Sequence, residues 1–181
     1  MKLWVGVTDK NWFEHLARFR PDEVNFWQPS GSRNFRVLQP GEPFLFKLHS
    51  PDNFIVGGGY FVRYSALPAS LAWQAFERKN GVESFEELVL RVRRYRPNDE
   101  ALDPVIGCNV LVEPFFFERG RWIPIPESFA RNIVSGKSYD TATEEGAGIW
   151  RSVSDAMSSA HIVRDGAIPA NTLVIAMVMP I

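Results

Sequence analysis

The sequence predicts an α+β fold: a small, curved, barrel-like β-sheet with helices packed around it. Three observations carry this. Short β-rich apolar runs outnumber the helical stretches and do not alternate regularly with them, as a doubly wound parallel sheet would require. The hairpin FLFKLHSPDNFIVGGGYF opens its second strand with Gly57, Gly58 and Gly59, as strands do where a small barrel bends or where something approaches the backbone. The chain has 181 residues, 45% hydrophobic and 13% aromatic, enough to bury one sizeable core.

Taken in order, LWVGV (3–7) reads as a strand. TDKNWFEHLARF follows, where Thr8 or Asp9 caps a helix that buries Trp12, Phe13 and Leu16 and leaves His15 outward. EVNFW (23–27) is a second strand, stopped by Gln28-Pro29-Ser30-Gly31. RNFRVL (33–38) alternates weakly, and PGEP (40–43) turns into the hairpin. SLAWQAFERKN (70–80) has Leu71, Ala72, Ala75 and Phe76 at helical spacing. In SFEELVLRVRRYR, Ser84 and Glu87 form a capping box, with Phe85, Leu88, Val89, Val92 and Tyr95 on one face. VIGCNVLVEPFFF (105–117) returns to strand, and prolines keep RWIPIPESF extended. A last helix is expected near 143–158, with Ile149, Val153, Ala156 and Met157 inward, and TLVIAMVM (172–179) reads as a strand.

Several function classes are disfavoured. The net charge of −1 makes the whole molecule no polyanion magnet, so nucleic-acid binding needs a local patch. One cysteine, Cys108, excludes an internal disulfide framework and fits a cytoplasmic location. It sits among apolar strand residues, as a core cysteine does. His15, His49 and His161 are far apart with no carboxylate at ligand spacing, so no metal and no cofactor are expected. The N-terminus lacks a signal-peptide core, and the longest apolar run, LVIAMVMPI, is too short for a membrane-spanning helix. No nucleophile elbow and no phosphate loop occur, and no catalytic residue is assigned.

Two surpluses remain. Arg91, Arg93, Arg94 and Arg96 cluster at a helix end, and Arg33 and Arg36 follow a turn. Either group reads as a solvated face or as phosphate contacts. Aromatic residues lie in or near many strands, and most belong to the core. A few keep polar company: Asn25 and Gln28 flank Phe26-Trp27, and Lys47 and His49 follow Phe46. Aromatic walls with a few hydrogen-bonding groups make a slot for a planar ligand such as a nucleobase.

The order LWVGVTDKNWF, VNFWQPSG, FRVLQPGEPFLFKLHSPDNFIVGGGYF resembles the PUA-like superfamily, whose EVE, ASCH, YTH and SRA branches are compact barrels that read modified or flipped bases. It is similar, over about residues 1–151, to the N-terminal module found ahead of HNH nuclease domains in bacterial restriction-type proteins. The shared elements here are Trp4–Thr8, Val24–Pro29, Pro40–Leu48, Gly57–Phe61, Ile106–Cys108, Pro114–Phe117, Trp122–Pro124 and Asn132–Asp140.

The resemblance implies a PUA-like, modified-DNA-binding domain over 1–151, taking a flipped methylated or hydroxymethylated cytosine. Trp27, Phe46 and Tyr60 would stack. Asn25, Gln28, Lys47, His49 and Asp140 would contact base edges or phosphate, with Gly58 and Tyr139 beside the ligand. Arg33, Arg36, Arg91, Arg93 and Arg94 would hold the nucleic-acid backbone. An RNA-binding PUA-like protein, or an ASCH-like enzyme on a small nucleotide using Lys47 and Asp140, are the alternatives. The glycine run would admit either a ligand or a neighbouring strand.

The tail, 152–181, departs from the family: AHIVRDGAIPAN has a faint nuclease start, but the later histidine and metal-binding helix are missing, so no active nuclease is expected. A piece of a longer protein, a stand-alone reader, or a chain shortened by frameshift would each account for this; the divergent tail favours the last two. An apolar terminal strand could pair with a partner chain, which leaves a homodimer possible without fixing the oligomeric state.

Overall fold

The structure, a computed structural model, describes residues 1–165. The strand expected over 172–179 lies outside them. The strands are β1 (Lys2–Thr8), β2 (Glu23–Gln28), β3 (Pro43–Leu48), β4 (Phe54–Pro68), β5 (Val105–Phe116), β6 (Ile123–Pro124) and β7 (Gly136–Asp140). The helices are α1 (Lys10–Phe19), α2 (Ala69–Phe76), α3 (Phe85–Tyr95) and α4 (Glu144–Asp165). Helix α4 runs through residue 151 without a break.

The seven strands form one curved sheet in the order β2-β5-β4-β3-β1-β7, with β6 paired to β4. The β1–β3 pair is parallel and the other pairs are antiparallel. The α+β expectation holds. Among the described residues no ladder joins β2 to β7, so the barrel-like sheet stays unclosed along one seam.

Strand alternation divides the core. Phe44, Phe46 and Leu48 point into a cluster with Phe26, Phe61, Leu111 and the apolar face of α1, namely Trp12, Phe13 and Leu16. Leu3, Val5, Leu45 and Ile55 face the other way, onto α4 through Ile149 and Val153. Ile106, Cys108 and Val110 of β5 pack under α2 and α3. RNFRVL forms no strand; it crosses the surface and pins itself with buried Phe35 and Leu38.

Local signals explain the helices. Asp9 caps α1 by accepting from the Trp12 amide at 2.8 Å. Ser84 caps α3, accepting from the Glu87 amide at 3.2 Å, while Glu87 reaches back to the Glu83 amide at 3.0 Å. The apolar face of α3 is narrower than expected, because Tyr95 lies outside it, 55% exposed. Leu71 of α2 is likewise exposed.

The glycine run answers to neighbouring strands. A Cβ on Gly57 would meet the Phe115 carbonyl, and one on Gly58 would lie 2.7 Å from both the Phe44 carbonyl oxygen and Phe115 Cζ. Gly59 is pressed by Leu111 and Val112. The β4–β5 register slips between Gly58 and Tyr60, and Glu113 opposite takes a positive φ of 49°. The glycines therefore let β3 and β5 close on β4 where it bends. Gly58→Ala should cost about 1–3 kcal/mol in urea denaturation by overpacking. Gly120→Ala, where nothing lies within 4 Å, serves as the unaffected control.

His15, expected outward, is buried on α1 with Nδ1 3.2 Å from Glu83 Oε1. The 77–84 segment folds over this part of the helix, which the helical period of α1 alone cannot show. Burial pushes its pKa below the ordinary 6.5, against the opposing pull of Glu83. The folded protein thus binds this proton less readily than the unfolded chain. The stability it contributes is whole above pH 6.5 and is lost as pH falls from there towards the folded pKa. In urea melts at stepped pH, His15→Gln should flatten the stability curve on the acid side of 6.5.

Candidate functional site

The seam holds a cavity of about 480 Å³, inside the range of about 300–1,000 Å³ usual for small-ligand sites. Both sheet edges line it: Phe26, Trp27, Gln28 and Pro29 come from the end of β2, and Val134 and Ser135 immediately precede β7. Val7, Thr8 and Asp9 come from the β1–α1 junction, with His49 from the end of β3 and Tyr95 from the end of α3. Backbone bonds tie these ends together. The Val7 amide donates to the Ser135 carbonyl at 3.0 Å, and the His49 amide to the Thr8 carbonyl at 3.1 Å.

The walls are aromatic. Trp12 meets Phe26 edge to face at 5.2 Å, and Tyr95 stands edge-on to Trp27 at 6.5 Å. The Trp27 indole is held from behind, its Nε1 donating to the Asn80 carbonyl at 3.0 Å. Asn80 is itself buried, donating to the carbonyls of Ala72 and Glu77 and accepting from Asn25 Nδ2 at 2.9 Å. At the mouth stand Tyr95 and Val134, the latter 80% exposed.

Thr8, Asp9, Gln28, His49 and Ser135 supply polar atoms. Asp9 Oδ1 lies 3.5 Å from Arg91 Nη1, and Arg91 Nη2 lies 2.6 Å from Glu87 Oε1. Burial, with the Asp9 charge second, pushes the Tyr95 phenol pKa up, so it stays protonated and able to donate.

Of the residues proposed from sequence, Trp27, Gln28 and His49 meet in the slot. Asn25 is fully buried behind it, spent on Asn80. Phe46 has no exposed surface; its ring lies against Trp12, Phe26 and Phe116, so it belongs to the core and cannot stack on a ligand here. Lys47 points to the opposite sheet face, bonded to Asn53 Oδ1 at 2.8 Å and lying over Phe129. Burial lowers its pKa. Gly58 lies within the sheet, and Tyr60 packs against Phe115. Tyr139 is buried against α4, bonded to Ser128. Asp140 is exposed at the start of the α4 turn, beside the N-terminal amine and the Ala142 amide. Strand alternation and chain ends separate these groups from the slot.

The arginines divide as well. Arg91 is only 15% exposed and paired with Asp9 and Glu87, so it is no phosphate contact. Arg96 pairs with Asp99 and donates to the carbonyls of Pro29 and Val105. Arg33, Arg36, Arg93 and Arg94 are exposed and, among the described residues, carry no ion pair. Among the described residues, no group of three His, Cys, Asp or Glu is arranged to hold a metal ion, and no helix is long and apolar enough to cross a membrane.

Sequence reasoning missed Asp9, Tyr95 and Val134 as slot residues. The signal for Asp9 was its place directly after a strand, where a helix cap sits at the sheet's end. No sequence signal marks Val134.

No known family profile matches the chain, and no curated protein matches it. Its fold does match solved structures of ASCH from Zymomonas mobilis. The wild-type protein aligns with a TM-score of 0.57 at 10% identity, over 83% of this chain and 94% of that one. A tyrosine-to-phenylalanine mutant aligns at 0.57 and 9% identity, over 84% and 99%. A serine-to-alanine mutant aligns at 0.57 and 10%, over 83% and 95%. At such identity the likeness is one of fold alone: the mixed α+β architecture seen in those ASCH structures.

Asn80→Ala would leave the Asn25 amide and two carbonyls without their partner. It should cost about 1–3 kcal/mol for each buried group left unpaired, measured by urea denaturation, while the main-chain carbonyl that accepts from Trp27 is kept.

Proposed function

We propose that this chain reads nucleic acid by taking a single nucleobase into the Trp27 slot. One observation carries the reading: an aromatic-walled cavity lined by Trp27, Tyr95, Trp12 and Phe26, with hydrogen-bonding groups but, among the described residues, no lysine or arginine in its lining. Such a site accommodates an uncharged planar ring and leaves phosphates outside. Arg93 and Arg94, exposed in the last turn of α3 beside Tyr95 in the sequence, are the phosphate contacts this reading calls on.

The target we propose first is a modified cytosine in DNA, turned out of the duplex. The resemblance in motif order to modules ahead of HNH nucleases supports this, as does the apolar Val134 in the lining, suited to a 5-methyl group. A role as the targeting part of a restriction system follows from it. Single-stranded RNA is the second reading. It is favoured because Arg91 and Arg96 are internally paired, which weakens the grip on a duplex that base extrusion would need.

The test is a titration with matched DNA duplexes carrying cytosine, 5-methylcytosine or 5-hydroxymethylcytosine, and with single-stranded RNA, at two salt concentrations. A preference among bases that persists at higher salt is the expected result. Binding that is equal for all and vanishes with salt would be the electrostatic term alone and would refute base reading. Trp27→Ala should weaken binding by about 1–3 kcal/mol if the indole stacks on the base. Melting curves check that the folded fraction is unchanged. If the folded variant binds normally, Trp27 is not the platform.

A further inference from the structure

We infer that Asp9 selects the base, accepting a hydrogen bond from an exocyclic amino group, so that the slot takes cytosine or adenine and turns away uracil and thymine. This rests on the base-slot reading above and adds the chemistry of its specificity.

Among the described residues Asp9 is the one carboxylate lining the cavity, and no cation lines it. Its two oxygens are in different situations. Oδ1 accepts from the Trp12 amide at 2.8 Å and faces Arg91 Nη1 at 3.5 Å. Oδ2 has no hydrogen-bond partner among the described residues. Capping α1 therefore accounts for one oxygen and leaves the other as an acceptor at a cavity wall. Arg91, mostly buried and anchored on Glu87 at 2.6 Å, holds the carboxylate's orientation from behind. Arg91 is a positioning residue and lies outside the cavity lining.

An ionised carboxylate only accepts. It suits the amino group of cytosine or adenine and repels the carbonyl that uracil and thymine present at the same place. A guanine edge offers two adjacent N–H donors and would call on both carboxylate oxygens, one of which is already engaged. The same charge disfavours a phosphate inside the slot, so a base carried on a polymer, with its phosphates at the rim, fits better than a free nucleotide.

The experiment uses single strands of abasic nucleotides containing one cytosine or one uracil, titrated against the full chain and its variants. Wild type should bind the cytosine strand at least about tenfold more tightly than the uracil strand. Asp9→Asn keeps the helix cap but lets its amide donate as well as accept, and should bring the two strands to near equality. Asp9→Ser, also a capping residue, should lose the preference without gaining affinity for uracil. Trp27→Ala should weaken both strands alike. Equal, Trp27-dependent binding of cytosine and uracil by wild type would overturn the assignment to Asp9 and leave the slot standing. So would a preference that survives in Asp9→Asn. If neither strand binds better than one wholly abasic, the base-slot reading itself fails, and this inference with it.

Discussion

Trp12 is placed so that one side of its ring belongs to the core and another to the cavity. Its indole sits edge-on to Phe26 and Phe46, at 5.2 and 5.0 Å. Burying so large an apolar surface is among the strongest single contributions available to a domain of this size. It clamps α1 across the sheet, and with α1 come Asp9 at the helix start and the end of β1. The Gly81 turn closes over the same ring so tightly, at a φ of 75°, that a side chain there would strike the indole. That turn carries Asn80, which holds Trp27. Floor, wall and carboxylate of the slot are thus set by one ring's packing.

Electrostatics then decide what the slot is for. Arg91 meets the cavity's Asp9 from outside the lining and is shared with Glu87. Its charge is spent on holding a carboxylate, so among the described residues Asp9 is the one carboxylate in a lining otherwise made of apolar and uncharged polar groups and His49. Two of the cations that remain exposed and, among the described residues, without an ion pair, Arg93 and Arg94, lie in the last turn of α3, the helix that ends at Tyr95. The proposed base-reading role would need such a division, since in nucleic-acid readers phosphate contacts position and base contacts specify.

The sequence shows elements well and sites poorly, for a physical reason. Helix α3 was legible because its capping box and its Leu88, Val89 and Val92 stripe are local; so was α1 with its Asp9 cap. Phe46 and Lys47 show where local reading stops. They are neighbours on one strand, so they point to opposite faces, and neither reaches the slot. The resemblance puts Asp140 at a base edge or phosphate, but its strand pairs with β1 in a register that places it opposite Lys2, at the chain's start and away from the slot. Asp9 looked like a mere cap. Which of two aspartates faces a cavity depends on how distant strands meet, and no spacing along the chain records that. The buried His15 fails the same way, covered by a segment some seventy residues later.

The three glycines connect this to the sheet as a whole. A flat sheet of this strand order would hold β2 and β7 far apart, since four strands lie between them. They line one cavity only because the sheet curls, and β4 is where the packing lets it curl: fifteen residues long, with its register slipping at Gly58–Tyr60 and again at Phe61–Arg63. Phe44, Leu111 and Phe115 crowd the backbone at Gly57, Gly58 and Gly59, where any side chain would hold them off. The side chains missing from β4 are therefore not an opening for a ligand beside that strand. They are the condition for the bend that brings the two edges to the seam, so the glycines shape the slot from the far side of the sheet.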